Sequence, residues 1–136
     1  MTPRESSLWK WLEAGKPNGC LMERMENSVN TDMPDVLGVY RNGAFMTELK
    51  VAVAGKGGSV KIKWSSAGQI SFAAHWNSAG LRTWTLVQVP EYGRYLISGH
   101  YVKHLSRAVT ISELREWTAT PENAVAFQII SRMAGR

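Results

Sequence analysis

Three ionisable residues, Asp35, Glu48 and Lys50, interrupt two otherwise apolar segments, Asp35–Arg41 (DVLGVYR) and Ala44–Ala52 (AFMTELKVA). Only Asn42-Gly43 lies between the segments, and Asn-Gly is the strongest short signal for a two-residue hairpin turn. Such a turn sets Arg41 opposite Ala44, Leu37 opposite Glu48 and Asp35 opposite Lys50. Strand alternation then places Asp35, Leu37, Val39, Met46, Glu48 and Lys50 on one face, with Val36, Gly38, Tyr40, Phe45, Leu49 and Val51 on the other. Both faces are mostly apolar, which predicts strands covered on both sides. A charge buried there is costly unless it is paired or binds a metal. Asp35 and Glu48 become diagonal neighbours about 7–8 Å apart, so their carboxylates can meet on one divalent ion. Such an ion keeps some waters and takes phosphate oxygens as ligands. Lys50 beside it would hold, or help deprotonate, an attacking water. These are the parts of metal-assisted phosphodiester hydrolysis. Read as structure alone, Asp35 facing Lys50 is an ion pair, and Glu48 is left unexplained.

The elements that must position this hairpin are legible in outline. Glu5–Gly15 reads as a helix capped by Ser6 or Ser7 and ended by Gly15 and Pro17. A second short helical stretch is expected over Leu21–Asn27, then a polar loop over Ser28–Met33. After the hairpin come the flexible Gly55-Lys56-Gly57-Gly58 and a short piece, Val60–Trp64. Ser65 or Ser66 should cap a helix running to Asn77, whose Ile70, Phe72, Ala73 and Trp76 read as core. Leu81–Val89 and Arg94–Ser98 read as strands, Thr110 or Ser112 caps a helix to Thr118, and Glu122–Met133 reads as helical. The order predicts helices packed on a sheet.

Composition bounds the rest. The chain has 136 residues, 44% hydrophobic and 20% charged, enough for one folded domain spanning 1–136. One cysteine excludes an internal disulfide, and three histidines argue against a His-rich metal site. The charged N-terminus does not read as a signal peptide, and no run approaches the roughly 20 apolar residues of a membrane span. The net charge of +5 favours a polyanionic partner. Lys56, Lys61, Lys63 and Arg82 flank the expected cleft as candidate phosphate contacts.

Pro34-Asp35 followed by Glu48-Leu49-Lys50 resembles the P-D…(D/E)-x-K signature of the PD-(D/E)XK nuclease superfamily. The thirteen-residue step from Asp35 to Glu48 suits that family's hairpin. Glu26-Asn27-Ser28 ahead of Met33-Pro34-Asp35-Val36 resembles the stretch before the active site in VRR-NUC-type and phage-encoded members, and Ser65–Gln69 resembles the family's motif with a Gln beyond the lysine. The resemblance runs from Met25 to Val89. It implies an α/β fold with a restriction-endonuclease-like core, a mixed central sheet and flanking helices. It implies a Mg²⁺- or Mn²⁺-dependent nuclease, the metal held by Asp35, Glu48 and the backbone carbonyl of Leu49 and assisted by Glu26. Lys50 would position the water, and Gln69 would touch metal-bound water or substrate. The arginine of the VRR element is absent, since the strand reads Thr85-Leu86-Val87-Gln88-Val89, and Glu23 is the alternative to Glu26. The expected substrate is DNA, double-stranded or branched, cut in the manner of a Holliday-junction resolvase. A homodimer suits paired cuts, and the expected setting is the cytoplasm of a bacterial or phage-infected cell. The competing expectation is a non-catalytic nucleic-acid-binding protein with the same fold.

Overall fold

The computed structural model describes residues 2–25 and 31–135. In chain order its elements are α1 (Pro3–Ala14), β1 (Leu21–Arg24), β2 (Val36–Tyr40), β3 (Gly43–Val51), β4 (Ser59–Val60), α2 (Gly68–Ser78), β5 (Arg82–Val89), β6 (Gly93–Ser98), β7 (Val109–Thr110), α3 (Ile111–Trp117) and α4 (Ala126–Met133). Short 3₁₀ turns lie at Lys56–Gly58 and Val102–Ser106. The central sheet runs β1-β2-β3-β5-β6, with β3 and β5 parallel and the other neighbours antiparallel. A parallel pair requires a crossover, and α2 lies on that connection. β4 and β7 form a separate two-stranded sheet.

Two apolar clusters hold the layers together. On one face Leu8 and Leu12 of α1 and Ile129, Ile130 and Met133 of α4 pack against Val36, Phe45, Leu49, Leu86 and Leu96. On the other, Ala73 of α2, Val102, Leu105 and Leu114 cover Val87, Tyr95 and Ile97. The fold is therefore α/β, a mixed sheet flanked by helices, as expected.

The hairpin departs from expectation in register. Tyr40 pairs with Gly43 and Val36 with Thr47. The turn is centred on Arg41-Asn42, whose φ angles of 48° and 65° supply the positive values a tight hairpin turn needs. Gly43 serves another purpose: a Cβ there would collide with the backbone of Ala134 at the end of α4. The shift is two residues, so each side chain keeps its predicted face. It brings Asp35 beside Glu48 rather than opposite Lys50.

Six local expectations are corrected. Neither Ser65 nor Ser66 caps α2, whose cap position is Ala67. The last helix begins at Ala126 rather than at Glu122. Leu21–Arg24 is a strand, not the start of a helix, because pairing with β2 buries Met22; expectations for residues 26–30 lie outside the described residues. Thr2, not Ser6 or Ser7, caps α1, in a reciprocal capping box with Glu5. The hairpin is covered on both sides only over its inner half. Among the described residues no element covers the outer face of β2, where Leu37 and Val39 are 41% and 40% exposed. On α2, Gln69 and Ala73 are buried, whereas Trp76 stacks on Phe72 and stays largely exposed.

Candidate active site

Asp35 stands just before β2, and its backbone N–H donates to Oε1 of Glu48 at 3.2 Å. Its carboxylate Oδ2 accepts the Leu49 N–H at 3.1 Å, so backbone from both strands fixes the two acids against each other. Glu48 and Lys50, two apart on β3, project to the face under α2. Both are almost fully buried, at 5% and 4% exposure. Lys50 Nζ lies 3.2 Å from Glu48 Oε2 and donates to the Lys63 carbonyl at 2.9 Å. It also sits 5.1 Å from the Trp64 ring centre, in cation–π range. Trp64 is anchored in turn by its indole N–H, which donates to the Leu105 carbonyl at 3.1 Å.

Gln69, buried in the first turn of α2, donates through Nε2 to Glu48 Oε2 at 2.8 Å. Its Oε1 accepts the Ser65 N–H at 2.9 Å, which fixes the amide so that its NH₂ faces Glu48. Asp35, Gln69 and Lys50 thus donate three hydrogen bonds to one carboxylate. Even so, burial first, and the neighbouring Asp35 charge second, push the Glu48 pKa up to about 8, with Lys50 acting in the opposite direction. A site that crowds two carboxylates beside one buried lysine disfavours ionising both acids at once. Thr85 pairs with Glu48 across β3 and β5 on the same face, and its buried hydroxyl has no hydrogen-bond partner among the described residues.

Beside this cluster opens a cleft of about 790 Å³, lined by Arg4 and Glu5 from the start of α1, Lys50 from β3, and Lys63, Trp64 and Ser65. The structure therefore brings together Asp35, Glu48, Lys50 and Gln69 and sets Lys63 at the cleft. Glu26 lies outside the described residues. Glu23 is exposed on β1, opposite Leu37. Lys56 and Lys61 are exposed on the segment leading to the cleft. Arg82 stands at the other end of β5, opposite Phe45, with its guanidinium against Gly135. Glu5 lines the cleft while serving as the capping acid of α1, its carboxylate accepting the Thr2 N–H. Among the described residues no group of three or more His, Cys, Asp and Glu could hold a metal ion, and no helix is long and apolar enough to cross a membrane.

No family model matches the chain, and no curated protein matches it in sequence. Among solved structures it is similar to Hjc, a Holliday junction resolvase from the archaeal hyperthermophile Archaeoglobus fulgidus. The two share 14% identity and superimpose with a TM-score of 0.59, over 97% of this chain and 99% of that one. At that identity the likeness is one of fold: the same mixed sheet with flanking helices.

Proposed function

We propose that the protein is a metal-dependent endonuclease that hydrolyses DNA phosphodiester bonds, with branched DNA as the preferred form. The observation that carries this reading is the Asp35–Glu48–Lys50 cluster: two carboxylates held together by backbone hydrogen bonds, with a buried lysine ion-paired to one of them. A structural ion pair needs one acid, and here there are two. The Hjc neighbour, named as a Holliday junction resolvase, supports the preference for branched DNA.

The donor set fits a hard divalent cation. Burial first, and the crowding of a second carboxylate next, raise the Glu48 pKa, and positive charge between the two acids would offset both. Asp35, Glu48 and the Leu49 carbonyl would hold Mg²⁺ or Mn²⁺, with waters completing a coordination shell that needs fewer than three acidic side chains. When bound, such an ion supplies Lewis-acid charge at a phosphoryl oxygen. The protein's own groups do the remaining work. Lys50, held between Glu48 and the Lys63 carbonyl, faces the cleft and orients a water for in-line attack on phosphorus. Gln69 fixes the Glu48 carboxylate. Arg4 and Lys63 on the cleft wall contact the phosphate backbone.

Incubation with four-way-junction, duplex and single-stranded DNA, and with RNA, in Mg²⁺, Mn²⁺ or EDTA tests this reading beside a Lys50→Ala control. The expected result is metal-dependent cleavage of the junction, lost in the Lys50→Ala protein. Binding without cleavage in any lane would leave the non-catalytic binding protein as the better account. A homodimer belongs to the same reading, because paired cuts need two sites and the outer face of β1 and β2 exposes Leu21, Leu37 and Val39.

A further inference from the structure

The start of α2 is built in an unusual way. Ala67 occupies the cap position and offers no side-chain hydrogen bond. The next residue back, Ser66, does not cap the helix either: its hydroxyl donates to Oδ1 of Asp32 at 2.5 Å. Asp32 is thirty-four residues earlier in the chain, on the loop that leads into Asp35. Its carboxylate lies against Gly68, the first residue of the helix. Oδ1 is 2.5 Å from where a Cβ on Gly68 would stand, and Oδ2 is closer still. A glycine at this position costs helix propensity. Here its missing side chain makes the space that the Asp32 carboxylate fills, at the positive end of the helix.

The next residue is Gln69, which spans Glu48 and the Ser65 backbone. The contacts therefore run without a break from Asp32 through Ser66 and the first turn of α2 to Gln69, and from there to Glu48. We propose that Asp32 is a positioning residue of the active site: it anchors the first turn of α2 and so holds the Gln69 amide against Glu48. This inference rests on the nuclease reading for its catalytic consequence, but its structural content stands apart from that reading. The loop that supplies Asp35 also sets the helix that steadies Glu48, so the two acids are aligned by one segment.

Three variants test the link. Asp32→Ala removes the anchor. Gly68→Ala places a methyl group where the carboxylate sits, and it should displace only the end of one side chain while improving helix propensity. Asp32→Asn keeps an oxygen for Ser66. The readout independent of activity is the Gln69 side-chain NH₂ signal in ¹H–¹⁵N spectra of the metal-free protein, identified by its absence in Gln69→Ala. It should move towards the position of free glutamine amides in Asp32→Ala and Gly68→Ala, and stay near the wild-type position in Asp32→Asn. Mn²⁺ affinity and kcat should each fall about 10–100-fold in the first two variants, the usual size of effect for a group supporting a ligand. DNA binding in EDTA and KM should hold, and the double variant should be no worse than either single one. An unmoved Gln69 signal in Asp32→Ala, or full additivity in the double variant, would overturn the proposal. A shifted Gln69 signal in a protein that cleaves nothing would support the anchor and refute the nuclease reading.

Discussion

Replacing Lys50 by Met should destabilise the metal-free protein by an amount that grows with pH. Lys50 Nζ lies 3.2 Å from Glu48 Oε2, and both side chains are almost completely removed from water. Losing one partner of such a pair costs about 3–5 kcal/mol when the other stays charged. Glu48, however, has a way out, since it can take up a proton. Its folded-state pKa is raised to about 8 by burial and by Asp35, against an ordinary value of 4.5. A raised value favours the folded state at low pH. The wild type should therefore be most stable below about pH 4.5 and lose stability as pH rises to 8, by about 1.4 kcal/mol per unit through the middle of that window. Lys50 is the influence that lowers the Glu48 pKa, so in Lys50→Met the loss continues above pH 8. At pH 6 Glu48 holds its proton in both proteins, and the variant forfeits the Lys50 hydrogen bonds to the Lys63 carbonyl and to Glu48, about 2 kcal/mol together. At pH 9 the difference should approach the full 3–5 kcal/mol. Urea unfolding followed by tryptophan fluorescence at pH 6, 7, 8 and 9, in EDTA, measures it. Adding Glu48→Gln should remove most of the pH 9 penalty. Equal destabilisation at pH 6 and pH 9 would refute the reasoning, because it would mean that Glu48 does not titrate in the folded protein.

Three further outcomes are expected. Gly43→Ala should cost about 1–3 kcal/mol in thermal or urea unfolding, because the new methyl group meets the Ala134 backbone, which cannot swing aside as a side chain can. Thr85→Val removes a buried hydroxyl that lacks a partner, so the metal-free protein should hold its stability or gain about 1 kcal/mol; a loss of kcat in that stable variant would show that the hydroxyl serves the site. Lys63→Ala should reduce the slope of log DNA affinity against log salt by about 1, whereas Arg82→Ala, at the far end of β5, should leave it unchanged.

The core of the site was legible because its parts are close in sequence. Asp35, Glu48 and Lys50 fall in two strand-like runs separated by Asn42-Gly43, and alternation alone assigns their faces. The register differs by two residues from the one Asn42-Gly43 predicts, because Gly43 lies in β3 and not in the turn. It answers instead to Ala134, a contact made only when α4 folds back on the hairpin. β1 was missed for a similar reason: Leu21-Met22-Glu23-Arg24 are all good helix formers, and the pairing with β2 that overrides them joins segments more than ten residues apart. Gln69 was found from its position after the lysine. What holds it is hidden, since Ser65 and Ser66 read as local caps, whereas Ser66 bonds Asp32, thirty-four residues earlier, and Ala67 takes the cap position.

On the proposed nuclease reading, a basic cleft and the face of β1 and β2 that the described residues leave exposed would give the protein two opposite responses to salt. Leu21 is 73% exposed there, beside Leu37 and Val39, on a chain that carries a net charge of +5. Added salt weakens contacts between Lys or Arg and phosphate, so it should loosen the grip on DNA. The same ions screen the repulsion between two positively charged copies, while the attraction between their apolar faces persists. Raising ionic strength should thus release nucleic acid and promote self-association together, and the concentrated, high-salt solutions that strip DNA during purification are those in which the bare sheet face is most adhesive.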